Sequence, residues 1–528
     1  GRGGAPGAQG GGRGGRGGGL QPSQVEKIMK DPARRDPRVF VIPSNQADFP
    51  TATRFVNALR YVGVEVHQAN AQFTANGKTY PAGSYVVKTA QAGRAHVLDM
   101  FEPQNHPDDM DERGIPRRPY DSAGWTLAYQ MGITFDRLFD DVTGPFTEIQ
   151  GLATPVPGTI SGTASAGYLI SPSINDAFTI ANRVMKANGE VYRLGTPMTA
   201  NGRTYPVGSF YVVASAASTP IVQAAAKELG VNMDGTSDRP SGSATKLAPK
   251  RIALWDTQTG SMPSGWTRFL LERFEFPYTI VCGAGFDDSA LRSKYDVIIM
   301  PSGASFRAGG GRGGRGGNAP AQPAAQPADP DLRSLCEVTT GTGTGASADA
   351  NVRKFVEQGG VVVAAGSAAE ALAATLDLPV TDYMVDRQPN EQDRPLGSDK
   401  FYVPGSVVRV AVDKTASSAL GAEDHIDVYF NNSPVFRLAP NAAALGIRPV
   451  MWFDSAEPLR SGWAWGQNYL EGGTTAFEAP VGQGKAFVFG PEITFRAQPY
   501  GTFKFLFNAI HGAEVTAPAR GTGTAARR

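Results

Sequence analysis

The sequence contains an internal repeat that constrains its fold. The segment from Ala75 to Tyr85 (ANGKTYPAGSY) recurs from Ala200 to Phe210 (ANGRTYPVGSF), 125 residues later. In both copies Asn-Gly predicts a tight turn, because these two residue types tolerate positive φ. The β-branched and aromatic residues that follow each copy predict a strand. A chain built in this way must fold part of its length as two related units.

The residues before each copy of the repeat match as well. Val39 to Ile42 and Tyr168 to Ile170 are apolar runs, and each of them precedes a helical stretch. The predicted order in each copy is strand, helix, strand, Asn-Gly hairpin, strand and helix. We therefore predict two duplicated small α/β units, at residues 38–150 and 151–245.

The pattern changes after the second unit. Short apolar runs such as Ile252 to Trp255 and Val361 to Ala365 alternate with helical stretches. This alternation predicts a parallel sheet that is covered by helices on both faces. Residues 246–515 are therefore predicted to form a third α/β domain, with a β-rich insertion at about residues 400–480.

Three segments stand outside these units. Residues 1–37 and 307–331 are rich in glycine and arginine or in alanine and proline, and a short tail follows at 516–528. Such segments bury too little apolar surface to offset their ordering entropy, so a linker or a surface loop is expected. The tracts lack interleaved aromatic residues, and the net charge of the whole chain is only +1, so we expect no nucleic-acid partner. No apolar run is long enough to predict a transmembrane segment.

Four further segments carry a family resemblance. They are His96 to Gln104 (HVLDMFEPQ), Pro119 to Leu127 (PYDSAGWTL), Gly260 to Trp266 (GSMPSGW) and Gly490 to Gln498 (GPEITFRAQ). Together they resemble the C-terminal, non-catalytic region of large bacterial exported proteins of the zinc carboxypeptidase family, of the carboxypeptidase A type. The resemblance implies a preceding peptidase domain with a His-x-x-Glu zinc pair and a distant third histidine.

The zinc motif of that family is absent from the sequence. Only five histidines are present, and only His511 has a glutamate at the His-x-x-Glu spacing. No histidine follows it, so we interpret His511 as the surface end of a helix. The sequence therefore predicts no catalytic residue and no cofactor in this chain, and the resemblance places zinc only in the peptidase domain outside it.

A weaker metal-site hypothesis concerns a group of acidic residues and histidines. His96 and Asp99 share one face of a predicted helical turn, and Glu102 and His106 follow closely. Carboxylate and imidazole groups are ligands for divalent metals. The alternative is a solvated helix end whose apolar neighbours pack inward. Both interpretations stay open at this point.

The third domain resembles a second family, the class I glutamine amidotransferases, which implies a flavodoxin-like parallel sheet. Such an enzyme needs a cysteine nucleophile on a strained turn after a central strand, and a histidine in a His-Pro-Glu motif as its base. Here Ser367 follows the matching strand, and Gly490 precedes Pro491 and Glu492 where the histidine would be. Nucleophile and base are both missing, so we interpret Ser367, Gly490 and Glu492 as remnants of a degenerate site.

The loop after the first strand of the third domain is a candidate binding site. Ligands of open parallel sheets bind beyond the carboxyl ends of the strands. The alternative places Trp266 and Met262 in the core and makes Ser264 a helix cap. The candidate ligand-binding residues are Asp256, Thr257, Ser261, Trp266 and Arg268.

Cysteine content and the first residue complete the prediction. Two cysteines, Cys282 and Cys336, exclude a disulfide framework, and the sequence leaves open whether they pair. Because the chain begins at Gly1 without a signal segment, we expect a processed product or a fragment.

We predict a non-catalytic accessory region of an exported metallocarboxypeptidase-family protein, secreted, periplasmic or on the cell surface. Its partners would be the peptidase domain or other copies of itself; the alternatives are a self-assembling extracellular protein and a stand-alone hydrolase.

Overall fold

The computed structural model describes residues 21–31, 35–257, 260–306, 347–387 and 393–512. The glycine-rich tracts, Cys336 and the tail at 516–528 lie outside these residues. The segment predicted as a linker up to residue 37 contains a helix, α1 (Pro22–Lys30), which has no buried residue. Among the described residues, no helix has the length and apolar character needed to cross a bilayer.

The first unit is a five-stranded sheet with helices and one separate hairpin. Its strands are β1 (Val39–Ile42), β2 (His67–Ala69), β3 (Phe73–Ala75), β4 (Lys78–Tyr80), β5 (Tyr85–Lys88), β6 (Asp136–Leu138) and β7 (Phe146–Glu148). Its helices are α2 (Phe49–Tyr61), α3 (Arg94–Phe101) and α4 (Leu127–Gln130). The sheet order is β6-β1-β5-β2-β7, and β3 and β4 form the hairpin. The Asn-Gly turn of the repeat joins those two hairpin strands, with Asn76 and Gly77 both at positive φ.

The second unit has the same plan with one more strand in its sheet. Its strands are β8 (Ile160–Ser161), β9 (Gly167–Ile170), β10 (Val191–Leu194), β11 (Met198–Ala200), β12 (Arg203–Tyr205), β13 (Phe210–Val213), β14 (Met233–Thr236) and β15 (Ala244–Lys246). Its helices are α5 (Asp176–Lys186) and α6 (Thr219–Leu229). The sheet order is β15-β10-β13-β9-β14-β8, and β11 and β12 form the hairpin.

Strand register confirms the duplication predicted from the sequence. In the first unit Tyr85 of β5 pairs with Ile42 of β1 and Gln68 of β2. In the second unit Phe210 of β13 pairs with Ile170 of β9 and Arg193 of β10. The three central strands therefore have the same order and the same register in both units. One difference matters for packing, because Arg193 occupies the position of Gln68.

The third domain is built on one long sheet. Its strands are β16 (Ile252–Asp256), β17 (Thr279–Cys282), β18 (Val297–Met300), β19 (Val361–Ala365), β20 (Val380–Asp382), β21 (Val385–Asp386), β22 (Arg394–Pro395), β23 (Ser406–Val412), β24 (His425–Phe430), β25 (Phe436–Leu438), β26 (Arg448–Trp452), β27 (Leu459–Ser461), β28 (Thr474–Val481) and β29 (Gly484–Phe489). Its helices are α7 (Met262–Arg273), α8 (Leu291–Lys294), α9 (Ala348–Glu357), α10 (Ala368–Thr375) and α11 (Tyr500–His511).

The order of these strands shows an α/β fold of the flavodoxin type. The sheet runs β17-β16-β18-β19-β29 with all neighbours parallel, which is the 2-1-3-4-5 order of that fold. The β-rich segment lies between β19 and β29 in the chain. It continues the same sheet in antiparallel fashion through β28, β26, β23 and β24. The predicted insertion is therefore an extension of the sheet.

The three units share one apolar core. Phe178 of the second unit packs on Phe507 of the third domain, with ring centroids 5.2 Å apart. Arg54 of the first unit forms two hydrogen bonds of 2.7 Å with the buried Asp176 of the second. These contacts fix the relative positions of the elements that surround the cavities described below.

His511 corrects one prediction from the sequence. It ends α11 but is only 6% exposed, and its ring lies against Phe178 and Phe276. Burial and the nearby charge of Arg193 lower the pKa of His511 to about 3, so the ring is neutral. It is a core residue, because the apolar residues of α11 continue to the helix end.

Cys282, the last residue of β17, is disulfide-bonded.

Candidate functional site

A polar cleft lies beyond the carboxyl ends of β18, β19 and β29. Its volume is about 450 Å³, and these strand ends contribute Ser302, Ser367 and Glu492 to its lining. Tyr120 and Asp121 of the first unit line the opposite wall. Open parallel sheets bind their ligands at this edge, because the chain reverses there and exposes loop groups. The cleft is therefore the candidate site.

A second chamber of about 230 Å³ adjoins the cleft. Ser302, Glu492, Phe495 and Arg496 line both spaces, and Trp266 closes the far side of the smaller one. Glu492 thus lies between two chambers, with surface available to a ligand in either of them.

Glu492 is the most perturbed acid in the cleft. Burial raises the pKa of its carboxyl group to about 7, although a hydrogen bond from Ser302 and the charge of Arg496 oppose this. At neutral pH the side chain therefore exists in both protonation states, and it can donate or accept a hydrogen bond. Perturbed acids of this kind are typical of functional clefts.

The pKa of Glu492 predicts a pH-dependent contribution to stability. Below pH 4.5 the carboxyl group is protonated in both the folded and the unfolded chain, and it carries no ionisation cost. Between pH 4.5 and 7 the unfolded chain ionises first, and above pH 7 the full cost of burying the charge applies. We expect Glu492→Gln to gain about 2–3 kcal/mol relative to the natural chain over this interval. Urea titrations at a series of pH values measure it, and a pH-independent difference would contradict the burial of this charge.

Gly366 forms the turn between β19 and Ser367, the residue that the sequence predicts at the position of the nucleophile. It directly follows β19 and has a φ of +63°. A Cβ atom there would lie 2.5 Å from Ser302 Oγ and 2.9 Å from Glu492 Cγ. No side chain fits at Gly366 without displacing both neighbours, so this turn requires a glycine.

Gly490 is closed to a side chain in the same way. A Cβ atom at this position would overlap the carbonyl oxygen of Pro434 and approach that of Thr475. The Gly490 N–H donates to Thr475 O at 2.7 Å, which holds the two strands together at this point. The position of the expected histidine base therefore cannot accept one in this backbone.

Ser367 remains beside the turn without a histidine partner. Its Oγ accepts a hydrogen bond from Gly303 N at 2.9 Å and lies 3.4 Å from Ser302 Oγ. The two histidines of the third domain are elsewhere, since His425 binds Asp454 at 2.8 Å and His511 is in the core. Ser367 is thus held as a hydrogen-bonding group, and it lines the same cleft as Glu492.

Residues from the first unit complete the cleft. Arg496, at a φ of +49°, makes two hydrogen bonds to Asp121 at 2.7 and 3.0 Å. The Phe495 ring stacks on Tyr429 with centroids 3.7 Å apart, and Tyr429 shares a 3.0 Å hydrogen bond with Ser122. The first unit and the third domain are therefore tied together at the cleft itself.

The segments that carry the family resemblance converge here. Pro119–Leu127 and Gly490–Gln498 form facing walls, and Gly260–Trp266 contributes Trp266 to the smaller chamber. From His96–Gln104, the Gln104 Oε1 atom accepts a hydrogen bond from Trp125 N at 2.5 Å. Four segments chosen from the sequence alone are thus neighbours in space.

The loop candidates from the sequence divide into two groups. Trp266 lines the smaller chamber and is 38% exposed, and Met262 is 79% exposed, so neither belongs to the core. Asp256 is fully buried, and its Oδ1 accepts hydrogen bonds from the N–H groups of Thr257 and Ser261 at 2.8 and 2.7 Å. Asp256 therefore holds this loop together and does not face a ligand.

The remaining loop residues have structural roles as well. Ser261, and not Ser264, caps α7, because Ser264 N donates to Ser261 Oγ at 3.3 Å. Arg268 lies 3.9 Å from Asp256 Oδ2, an oxygen without a hydrogen-bond partner among the described residues. Arg268 thus offsets the charge of a buried carboxylate below the cleft.

The structure does not bring the predicted metal ligands together. Both oxygens of Glu102 accept hydrogen bonds from Arg137, at 2.7 and 2.8 Å. His106 Nδ1 is 2.7 Å from Pro107 O, and its ring stacks on Trp463. Across the described residues, no three His, Cys, Asp or Glu side chains are arranged to hold a metal ion. His96 and Asp99 remain on α3 without forming such a group.

The sequence did not predict that residues of the first unit line the cleft. Asp121 and Ser122 lie more than 300 residues from their partners Arg496 and Tyr429. Pairings at such separations leave no local pattern in a single sequence. The only available signal was the family resemblance of both segments.

Comparisons with known proteins leave the family open. No family model and no curated protein matches the chain. Among solved structures, a cytoplasmic protein of Salmonella typhimurium is 13% identical, covering 49% of this chain and 97% of its own, with a TM-score of 0.29. A putative ThuA-like protein from Bacteroides uniformis is 9% identical, covering 52% and 94%, with a TM-score of 0.29. A putative GMP synthase component from Thermoplasma acidophilum is 10% identical, covering 49% and 94%, with a TM-score of 0.27. These likenesses are too weak to assign a function.

Proposed function

We propose that the chain is a non-catalytic accessory region of an exported zinc carboxypeptidase-family protein, and that its cleft binds a small polar ligand without reacting with it. In this proposal zinc belongs to a peptidase domain outside this sequence, and the partners are that domain or further copies of the chain. A secreted, periplasmic or cell-surface location follows from the same resemblance.

One observation carries the binding role. At Gly490, the predicted position of the base, the backbone leaves no space for a side chain. Ser367, at the predicted position of the nucleophile, accepts a hydrogen bond from Gly303 N and has no histidine of the third domain beside it. The cleft nevertheless keeps a volume of about 450 Å³ and a polar lining. A polar cleft whose serine has no histidine base beside it supports recognition and not turnover.

The lining indicates the chemistry of the ligand. Neutral donors and acceptors come from Ser302, Ser367 and the loop residues Asn431 and Asn432. Tyr120, whose side chain is fully exposed, offers an aromatic surface at the cleft. This combination suits a compact ligand that is rich in hydroxyl or amide groups.

Binding tests this proposal directly. The probes are monosaccharides, disaccharides and N-acetylated amino acids, titrated by isothermal calorimetry at pH 6. We expect at least one probe to bind, and Ser302→Ala to weaken that binding about tenfold through the loss of one hydrogen bond. The matched control is Ser455→Ala, at a loop residue that does not line the cleft. Failure of every probe, or equal affinity in both variants, would contradict the cleft as a binding site.

A further inference from the structure

A second polar cavity lies where the three units meet. Its volume is about 320 Å³. Asp48 lines it from the first unit, Asn175 from the second, and Arg409, Arg460 and Lys504 from the third domain. It shares no lining residue with the cleft described above.

Lys504 is an isolated amine in this cavity. Its Nζ donates to the carbonyl oxygen of Ser173 at 3.1 Å. No carboxylate among the described residues lies within 4.0 Å of it, in contrast to Lys485, whose Nζ is 2.7 Å from Glu478. An ammonium group enclosed without a close counter-ion is destabilised relative to the neutral amine.

The surroundings of Lys504 agree with this effect. Burial lowers the pKa of the Lys504 amine, although the charges of Asp48 and Glu423 oppose the shift. His425 also lines the cavity, and its Nε2 is paired with Asp454 at 2.8 Å. A lysine amine that loses its proton more readily than usual is a nucleophile toward carbonyl carbon.

Two arginines in the same cavity supply a site for a carboxylate. Arg409 and Arg460 each donate Nε to Asp427 Oδ1 at 3.2 Å. Asp427 is 8% exposed and holds both guanidinium groups in place. Within the described part of the chain, the terminal nitrogens of neither arginine make a hydrogen bond to protein. A planar fork of this kind is suited to an oxyanion.

We propose that this cavity binds a small 2-oxo acid, and that Lys504 forms a reversible imine with its carbonyl carbon. The lone pair of Lys504 Nζ forms the new C–N bond. The carbonyl oxygen takes up the two protons of the amine nitrogen and leaves as water, so C=O is exchanged for C=N. No oxidation or reduction occurs. Arg409 and Arg460 hold the carboxylate of the ligand, and Asp48 and Glu423 stabilise the imine nitrogen when it takes up a proton from solvent.

Reductive trapping tests this site in the natural chain. The protein is incubated with pyruvate at pH 7, reduced with sodium borohydride, and digested for peptide mass mapping. We expect one pyruvate-derived adduct per chain, on Lys504, and no label on Lys485, whose Nζ is held 2.7 Å from Glu478. Acetone, which lacks the carboxylate, should label Lys504 at least tenfold more weakly.

Variants separate the two parts of the proposal. Lys504→Arg should abolish the adduct, and Arg460→Gln should weaken pyruvate labelling about tenfold while leaving acetone labelling unchanged. If Lys504→Arg does not fold, the peptide map of the natural chain still decides the question. An unlabelled Lys504, or label spread over the exposed lysines, would overturn the imine; equal labelling by acetone and pyruvate would overturn the carboxylate site.

Discussion

Replacing Gly490 by alanine is expected to lower the free energy of unfolding by about 3 kcal/mol. The new methyl group would overlap the Pro434 carbonyl oxygen and press against the Thr475 oxygens, which belong to backbone and a buried side chain. These oxygens cannot move away without a cost in free energy, because two of them belong to the backbone and the Gly490 N–H is bonded to Thr475 O at 2.7 Å. Urea denaturation of the purified variant measures the loss.

The control for this substitution is Gly283→Ala. A Cβ atom at Gly283 would meet no atom within 4 Å, so the change in free energy should stay within about 0.5 kcal/mol. If Gly490→Ala were as stable as this control, the position could accept a side chain. The description of a closed backbone at Gly490 would then be wrong.

Removing the buried carboxylate of Asp176 is expected to cost more than any surface change. Asp176 is 1% exposed and forms two hydrogen bonds of 2.7 Å with Arg54, which is itself largely enclosed. Asp176→Ala would leave the guanidinium group of Arg54 without its hydrogen-bonded carboxylate between two units, with only the more distant Asp48 near it. Breaking a buried pair on one side costs about 3–5 kcal/mol. Denaturation by urea at neutral pH measures the loss.

Two comparisons make this prediction specific. Glu26→Ala removes the partner of Lys30 in an exposed pair at 2.5 Å and should change the stability by less than about 0.5 kcal/mol. The double variant Arg54→Met, Asp176→Leu removes both charges and should recover most of the loss. A single variant as stable as the natural chain would show that this pair does not join the units.

The duplication could be predicted in detail because both copies of the repeat occur in one sequence and can be aligned with each other. The Asn-Gly turn and the flanking strands occur twice, and their common register follows from equal spacing. The parallel sheet could be expected as well, since apolar runs alternating with helices permit few topologies. Its flavodoxin-type order was implied only by the resemblance to the glutamine amidotransferases.

The cleft could be predicted only in part. Trp266, Ser367 and Glu492 follow strands of the parallel sheet, so their convergence is a consequence of topology. The partners from the first unit depend on packing between distant segments. The loop role of Asp256 was missed for a similar reason, because only the fold shows that its carboxylate points inward.

The position of His511 illustrates the same limit. A histidine near the end of a helix is usually solvated, and its neighbours in sequence include glycine. Its burial results from contacts with Phe178 of the second unit and with Phe276, which lies between α7 and β17. Contacts with distant segments therefore determine the burial of His511, which the local composition does not reveal.

Turnover by the purified chain tests most directly whether the cleft binds without reacting. Release of ammonia from glutamine and of the terminal residue from C-terminal peptide substrates would be followed by mass spectrometry, with and without added zinc. A serine without a histidine base and a closed backbone at Gly490 predict rates equal to those of buffer, in the natural chain and in Glu492→Gln alike. Hydrolysis by the natural chain that disappears in Glu492→Gln would show a working active site in the cleft and contradict the proposed function.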